Sequence, residues 1–120
     1  MFGGQQTRTN IHFQDMMNVY RHFLSHPELP SGSYNAGFEN ISILDIAERV
    51  QKRVPAEIVV TESNDPRSYR QNSDKLRVMG FEPQYSMDDA IEGIIAKYES
   101  GELVKSDHCY TVRWMKYLIL

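Results

Sequence analysis

The sequence predicts a mixed α/β fold of four to five helices with three to four short strands, and three features predict it. Apolar residues recur at helical spacing in several separate stretches. Short β-branched or alternating runs stand between those stretches, and clusters such as "PELPSGS" (27–33) and "ESGE" (99–102) punctuate the chain as turns. The strands are too few and too short for a doubly wound sheet. With 120 residues, 41% hydrophobic and 24% charged, the chain has length for one core and not for two, so residues 1–120 are read as a single lobe.

The elements follow in order. "TNIHF" (9–13) alternates apolar and polar positions and suits a short strand. Asp15 then opens a helix whose apolar face is Met16, Val19, Tyr20, Phe23 and Leu24, and Pro27 ends it. "SYNAG" (33–37) reads as a second short strand stopped by Gly37. Ser42 with Asp45 resembles a capping box and starts a helix carrying Ile43, Ile46, Ala47, Val50 and Val54, closed by Pro55. "EIVVT" (57–61) is the clearest strand signal, β-branched and bounded by turn residues.

A turn at Asn64-Asp65-Pro66 comes next. Ser73 caps a short helix through Lys75, Leu76 and Met79, with Gly80 at its end. Ser86 and Asp89 repeat the capping pattern ahead of Met87, Ala90, Ile91, Ile94, Ile95 and Tyr98. The tail, about 107–120, places Tyr110, Trp114, Tyr117 and Leu118 on one face of a last helix.

Composition excludes several function classes. A formal charge of −3, from 16 acids and 13 bases, argues against general affinity for nucleic acid or an anionic membrane. No apolar run approaches the roughly 20 residues of a spanning helix. "MFGGQQTRTN" offers no export signal, so a cytoplasmic setting is expected. Cys109 is the single cysteine, which rules out an intrachain disulfide and a cysteine-built zinc site and reads as a packed thiol.

Candidate chemistry is sparse. There is no G-x-G-x-x-G and no P-loop, so the usual phosphate cradles are missing and no cofactor is expected to bind this chain. His22 and His26 have the i, i+4 spacing of metal ligands but no third partner, and a helix C-terminus favours cationic side chains there without any metal. His12 has the chemistry of a general base, but its context favours a structural, hydrogen-bonded role. Arg8 and Arg67 stand on loops beside predicted strands. Guanidinium groups present a rigid fork of donors, and two from separate loops can clamp a diphosphate.

Three segments, taken together and in order, carry a resemblance. "GGQQTRTNIHFQDMMNVY" (3–20) resembles an R-P-x-I-H-V-x-D segment, with Thr9 for the proline and Phe13 for the valine. "SYNAGFENISILDIAERV" (33–50) is similar to Y-N-x-G-x-x-x-x-S followed by a helix. "DPRSYRQNSDKLRVMGFEPQYSMDDAI" (65–91) is similar to D-x-R-x-Y-x-x-D-x-x-K-x-x-x-x-L-G-F-x-P, with Asn72 for the second aspartate. These are segments of extended short-chain dehydrogenases/reductases, the NAD-dependent nucleotide-sugar epimerase/dehydratase family, and the likeness covers about residues 3–101.

The resemblance implies the C-terminal, substrate-binding lobe of such an enzyme without its Rossmann half. The family's Gly-rich loop and Tyr-x-x-x-Lys pair do not occur in these residues, so catalysis by them alone is not expected. NAD or NADP would belong to the parent enzyme, and the expected partner is a nucleotide-diphosphate sugar. By the same resemblance Arg8 and Arg67 reach the diphosphate. His12, Asp15, Asn35 and Gly37 match structural positions: a buried hydrogen bond, a helix start and a strand completing the cofactor-half sheet. Ser42 matches a helix cap, and Tyr69 completes the D-x-R-x-Y block. An open edge at 33–37 would then pair with a separate Rossmann half or promote self-association.

Overall fold

The computed structural model describes residues 3–62 and 67–118, with Arg113 described in its backbone alone. These residues form a small mixed α/β protein with five α-helices and one two-stranded antiparallel sheet. The order is β1 (Thr7–Asn10), α1 (Phe13–Ser25), β2 (Glu39–Ser42), α2 (Ile43–Gln51), α3 (Asp74–Val78), α4 (Met87–Glu99) and α5 (Thr111–Leu118), with a 3₁₀ turn at Asp107–Cys109 before the last helix. In the sheet, Thr7 faces Ser42 and Asn10 faces Glu39.

The helices begin and end where local chemistry directs. Ser42 caps α2, its hydroxyl accepting from Asp45 N at 3.0 Å. Ser86 and Asp89 cap α4 reciprocally, each side chain taking the other's backbone N–H. After α3, Gly80 adopts φ 87°, and the N–H groups of Gly80 and Phe81 return to the carbonyls of Arg77 and Leu76. That is a Schellman closure, and its hydrophobic partners Leu76 and Phe81 are both buried. They form the core with Val19, against which Ile11, Phe23, Tyr34, Ala36 and Phe38 pack.

Several expectations are corrected. The first strand runs over Thr7–Asn10 rather than 9–13, because His12 leaves the sheet to cap α1, its Nδ1 accepting from Gln14 N at 3.1 Å. The helix therefore starts at Phe13, not at Asp15. Residues 33–37 are not a strand; the sheet partner is the next segment, Glu39–Ser42. Residues 72–75 hold the 33–37 stretch through side-chain to backbone bonds instead. Lys75 Nζ donates to Ser33 O, Asn35 Nδ2 donates to Asn72 O, and the Ser73 hydroxyl engages both backbone groups of Gly37.

"EIVVT" forms no ladder among the described residues. A bridge stands at Thr61, whose carbonyl accepts from Gly3 N at 2.8 Å, and Val59 and Val60 are exposed. Among the described residues, two strands therefore stand where three or four were expected. The apolar stripe of α1 is only partly covered, since Tyr20 and Leu24 face solvent. Cys109 is exposed rather than packed. The turn expected at Asn64–Pro66 lies outside the described residues.

The molecule is open for its size. Its radius of gyration is 17.1 Å, against about 14 Å for a compact chain of this length. Its accessible surface is 9196 Å², where a compact protein of its mass exposes about 6,700 Å². No helix among the described residues is long and apolar enough to cross a membrane.

Candidate functional site

The site is built where residues 68–71 run beside β1. Tyr69 N donates to Thr7 O at 3.0 Å, and Thr7 N donates to the Ser68 hydroxyl at 3.1 Å. Two residues further along each segment, Gln71 N donates to the Thr9 hydroxyl and to Asn40 Oδ1, both at 3.0 Å. The two segments thus advance in the same direction. Asn40, opposite Thr9 in the sheet, also donates from Nδ2 to Gln71 O at 3.0 Å. Its side-chain amide engages both backbone groups of Gln71 as a strand peptide would, which explains how the 68–71 segment is held without being a strand.

This alignment brings the two arginines together. Arg8 Nη1 donates to Arg67 O at 2.6 Å and to Thr7 O at 3.0 Å. The Arg8 guanidinium carbon lies 5.2 Å from the Tyr69 ring centroid, and that of Arg67 lies 5.9 Å from the same centroid. A ring quadrupole attracts a cation by about 0.5–1 kcal/mol at exposed sites, so Tyr69 offsets part of the repulsion between the two guanidiniums. Arg67 and Tyr69 are exposed and Arg8 is half-buried. The result is two guanidiniums gathered at one surface point, Arg8 anchored through Nη1 and Arg67 beside the Tyr69 ring, a concentration of positive charge suited to an anion.

The remaining predicted positions are framework. Asp15 is fully buried on α1, and its carboxylate accepts from Gln84 N and Tyr85 N at 2.9–3.1 Å, pinning the segment ahead of α4. It is an anchor and not the helix start expected of it. His12 stacks on Tyr85 with centroids 4.7 Å apart and is half-buried rather than buried. Gly37 is required by close approach: a Cβ there would overlap the Thr9 methyl and come within 2.9 Å of Gln71 Oε1. Asn35 lies at the surface, tied to Asn72, and Ser42 caps α2.

Asn40, Gln71 and Ser73 organise the site, and the sequence reading missed the first two and misread the third. Ser73 stands at the N-cap position of α3, yet Asn72 supplies the cap, its Oδ1 accepting from Asp74 N at 2.7 Å. Asp15 carried a legible signal. It sits four residues before Val19 on the apolar face of α1, where a carboxylate must find buried donors.

His22 and His26 bond backbone carbonyls, Nε2 of His22 to Met79 O and Nδ1 of His26 to His22 O. Among the described residues no group of three His, Cys, Asp or Glu side chains is arranged to hold a metal. A separate open cleft of 740 Å³ runs between α1 and residues 26–36, walled by Val19, Tyr20, Phe23 and Tyr34. Neither arginine lines it. Compared with known proteins, the chain matches no family model and no curated sequence.

Proposed function

We propose that this chain is the nucleotide-sugar-binding portion of a cytoplasmic NAD(P)-dependent nucleotide-sugar epimerase, dehydratase or reductase of carbohydrate biosynthesis. One observation supports the reading above others. Arg8 and Arg67, far apart in sequence, share the Tyr69 ring and are joined by a 2.6 Å hydrogen bond. Two guanidiniums gathered at one ring concentrate positive charge where a diphosphate would be attracted, with Arg8 anchored through Nη1 to backbone carbonyls. Asn40, Gln71 and Ser73 keep the two segments in register beneath it. Hydride transfer requires a nicotinamide cofactor, and these residues contain neither a glycine-rich dinucleotide loop nor a Tyr-x-x-x-Lys pair, so that chemistry falls to a Rossmann half.

Calorimetric titration with inorganic pyrophosphate, UDP, and UDP-, dTDP- and GDP-linked sugars tests the reading. Saturable binding of the diphosphates is the expected result, competitive with pyrophosphate and weakened by salt. NAD and NADP should give no saturable heat. Absence of any diphosphate binding, with the protein folded, refutes it.

A second reading, a non-enzymatic interaction module derived from such an enzyme, is favoured by a different observation. The surface exceeds that of a compact protein by about 2,500 Å², and exposed aromatic and aliphatic side chains include Tyr20, Leu24, Val59 and Val60. Under this reading the arginine pair is inert toward diphosphates and the apolar surface carries the activity.

A further inference from the structure

The apolar stripe of α4 is continuous in sequence but only half covered. Met87, Ile91, Ile94, Ile95 and Tyr98 repeat at helical spacing. The first turns are seated: Ser86 and Glu39 hold the N-terminus, and Ile91 is 6% exposed. Ion pairs from Arg49 of α2 to Asp88, and from Arg53 just after α2 to Asp88 and Glu92, fix the helix along its flank. Beyond that point the core ends while the stripe goes on. Ile94 is 59% exposed and Tyr98 67%.

The tail presents the complementary surface. Helix α5 is strongly amphipathic and carries Val112, Met115, Tyr117 and Leu118 in the open. Its start is fixed by His108, whose ring lies 3.9 Å from that of Trp114. Charge is complementary too. Residues 103–118 hold Lys105, Arg113 and Lys116 against Asp107, a formal +2, which leaves −5 on the rest of a chain whose total is −3. On α4, Glu99 lies beside the open stripe, while Glu92 is already paired with Arg53.

We propose that α5 of one copy packs across the Ile94–Tyr98 end of α4 in a second copy, so that two equivalent contacts close a two-fold homodimer. A two-fold interface is self-complementary by construction, and each chain here offers both halves of the contact. The area fits. Each chain exposes about 2,500 Å² beyond a compact protein of its mass, more than the roughly 800 Å² per partner that a standard interface takes. Aromatic side chains and Met at the centre with basic and acidic groups at the rim match the composition of such interfaces. The contact is independent of the arginine site, so it stands or falls separately from the diphosphate reading.

Sedimentation equilibrium and light scattering on the full chain, from low micromolar to near-millimolar concentration, test it. The wild-type chain should dimerise. Tyr98→Glu and Met115→Glu, both at exposed positions, should leave circular dichroism unchanged and each weaken dimerisation about ten- to a hundred-fold. Mixing the two variants should recover part of the association, because the mixed dimer keeps one unaltered contact while confining both substitutions to the other. Three results overturn the proposal: a wild-type monomer at every concentration, a dimer insensitive to both variants, or no recovery on mixing. Sedimentation of a monomeric wild-type chain with phosphatidylserine vesicles, lost in Met115→Glu, would overturn it in favour of a membrane surface.

Discussion

The Ser73 hydroxyl closes both backbone groups of Gly37, accepting from its N–H at 3.0 Å and donating to its carbonyl at 2.8 Å. Ser73 is buried, and Gly37 is buried with it. One side chain therefore satisfies the peptide groups of a residue that no strand ladder reaches. Ser73→Ala leaves both without this partner, at a cost of about 2–3 kcal/mol. A urea unfolding series should show a lower midpoint with an unchanged slope.

Gly37→Ala is expected to be destabilising for a steric reason, since the new methyl overlaps that of Thr9. Overpacking of this kind costs about 1–3 kcal/mol. Thr9→Ser removes the obstructing methyl and keeps the hydroxyl that bonds Gln71 N and Asn40 Oδ1. The double variant should recover much of the loss, and thermal unfolding of the four proteins in the cycle measures the coupling directly.

Asp15→Ala strands two donors, the N–H groups of Gln84 and Tyr85. Bonds to a buried carboxylate are the stronger kind, and the loss should be about 2–4 kcal/mol. Since those residues lead into α4, hydrogen exchange should accelerate first at residues 84–90.

Acid should loosen α4 at both ends. The Ser86 hydroxyl, and then the Ser86 N–H, hold the Asp89 carboxyl below the ordinary aspartate range. A hydrogen bond from Lys97 and its charge, with the Ser100 hydroxyl, hold Glu102 below the glutamate range. A carboxyl whose folded value is depressed adds stability above its unfolded value and loses it as pH falls through the folded one. Cα chemical shifts of residues 87–90 should stay helical down through the ordinary carboxylate range and drift toward coil below it. Asp89→Asn should remove most of that pH dependence.

At the arginine pair, Arg67→Ala should weaken diphosphate binding about ten- to a hundred-fold, the equivalent of roughly 1.5–3 kcal/mol for charge-assisted bonds. Arg67→Lys should restore only part, because the planar fork is lost. Equal affinity in the wild type and both variants would show that the proposed site does not bind through this residue.

The sequence by itself determined the helices. Caps such as Ser42–Asp45 and Ser86–Asp89, and the Gly80 stop, act within four residues, so the pattern that encodes them lies in the stretch that folds. Strands were less legible because pairing is non-local. "EIVVT" has β-branched residues but joins no ladder among the described residues, while polar Thr7–Asn10 and Glu39–Ser42 form the sheet through each other's backbones. Tertiary structure alone decided that Ser73 serves Gly37 and not its own helix, that Asp15 is buried beneath residues 84–85, and that Arg8 meets Arg67. Motif likeness could single out the two arginines. Their meeting depends on Thr7 and Thr9 holding residues 68–71 alongside β1 through hydrogen bonds spanning some sixty residues, and neither segment contains that information alone.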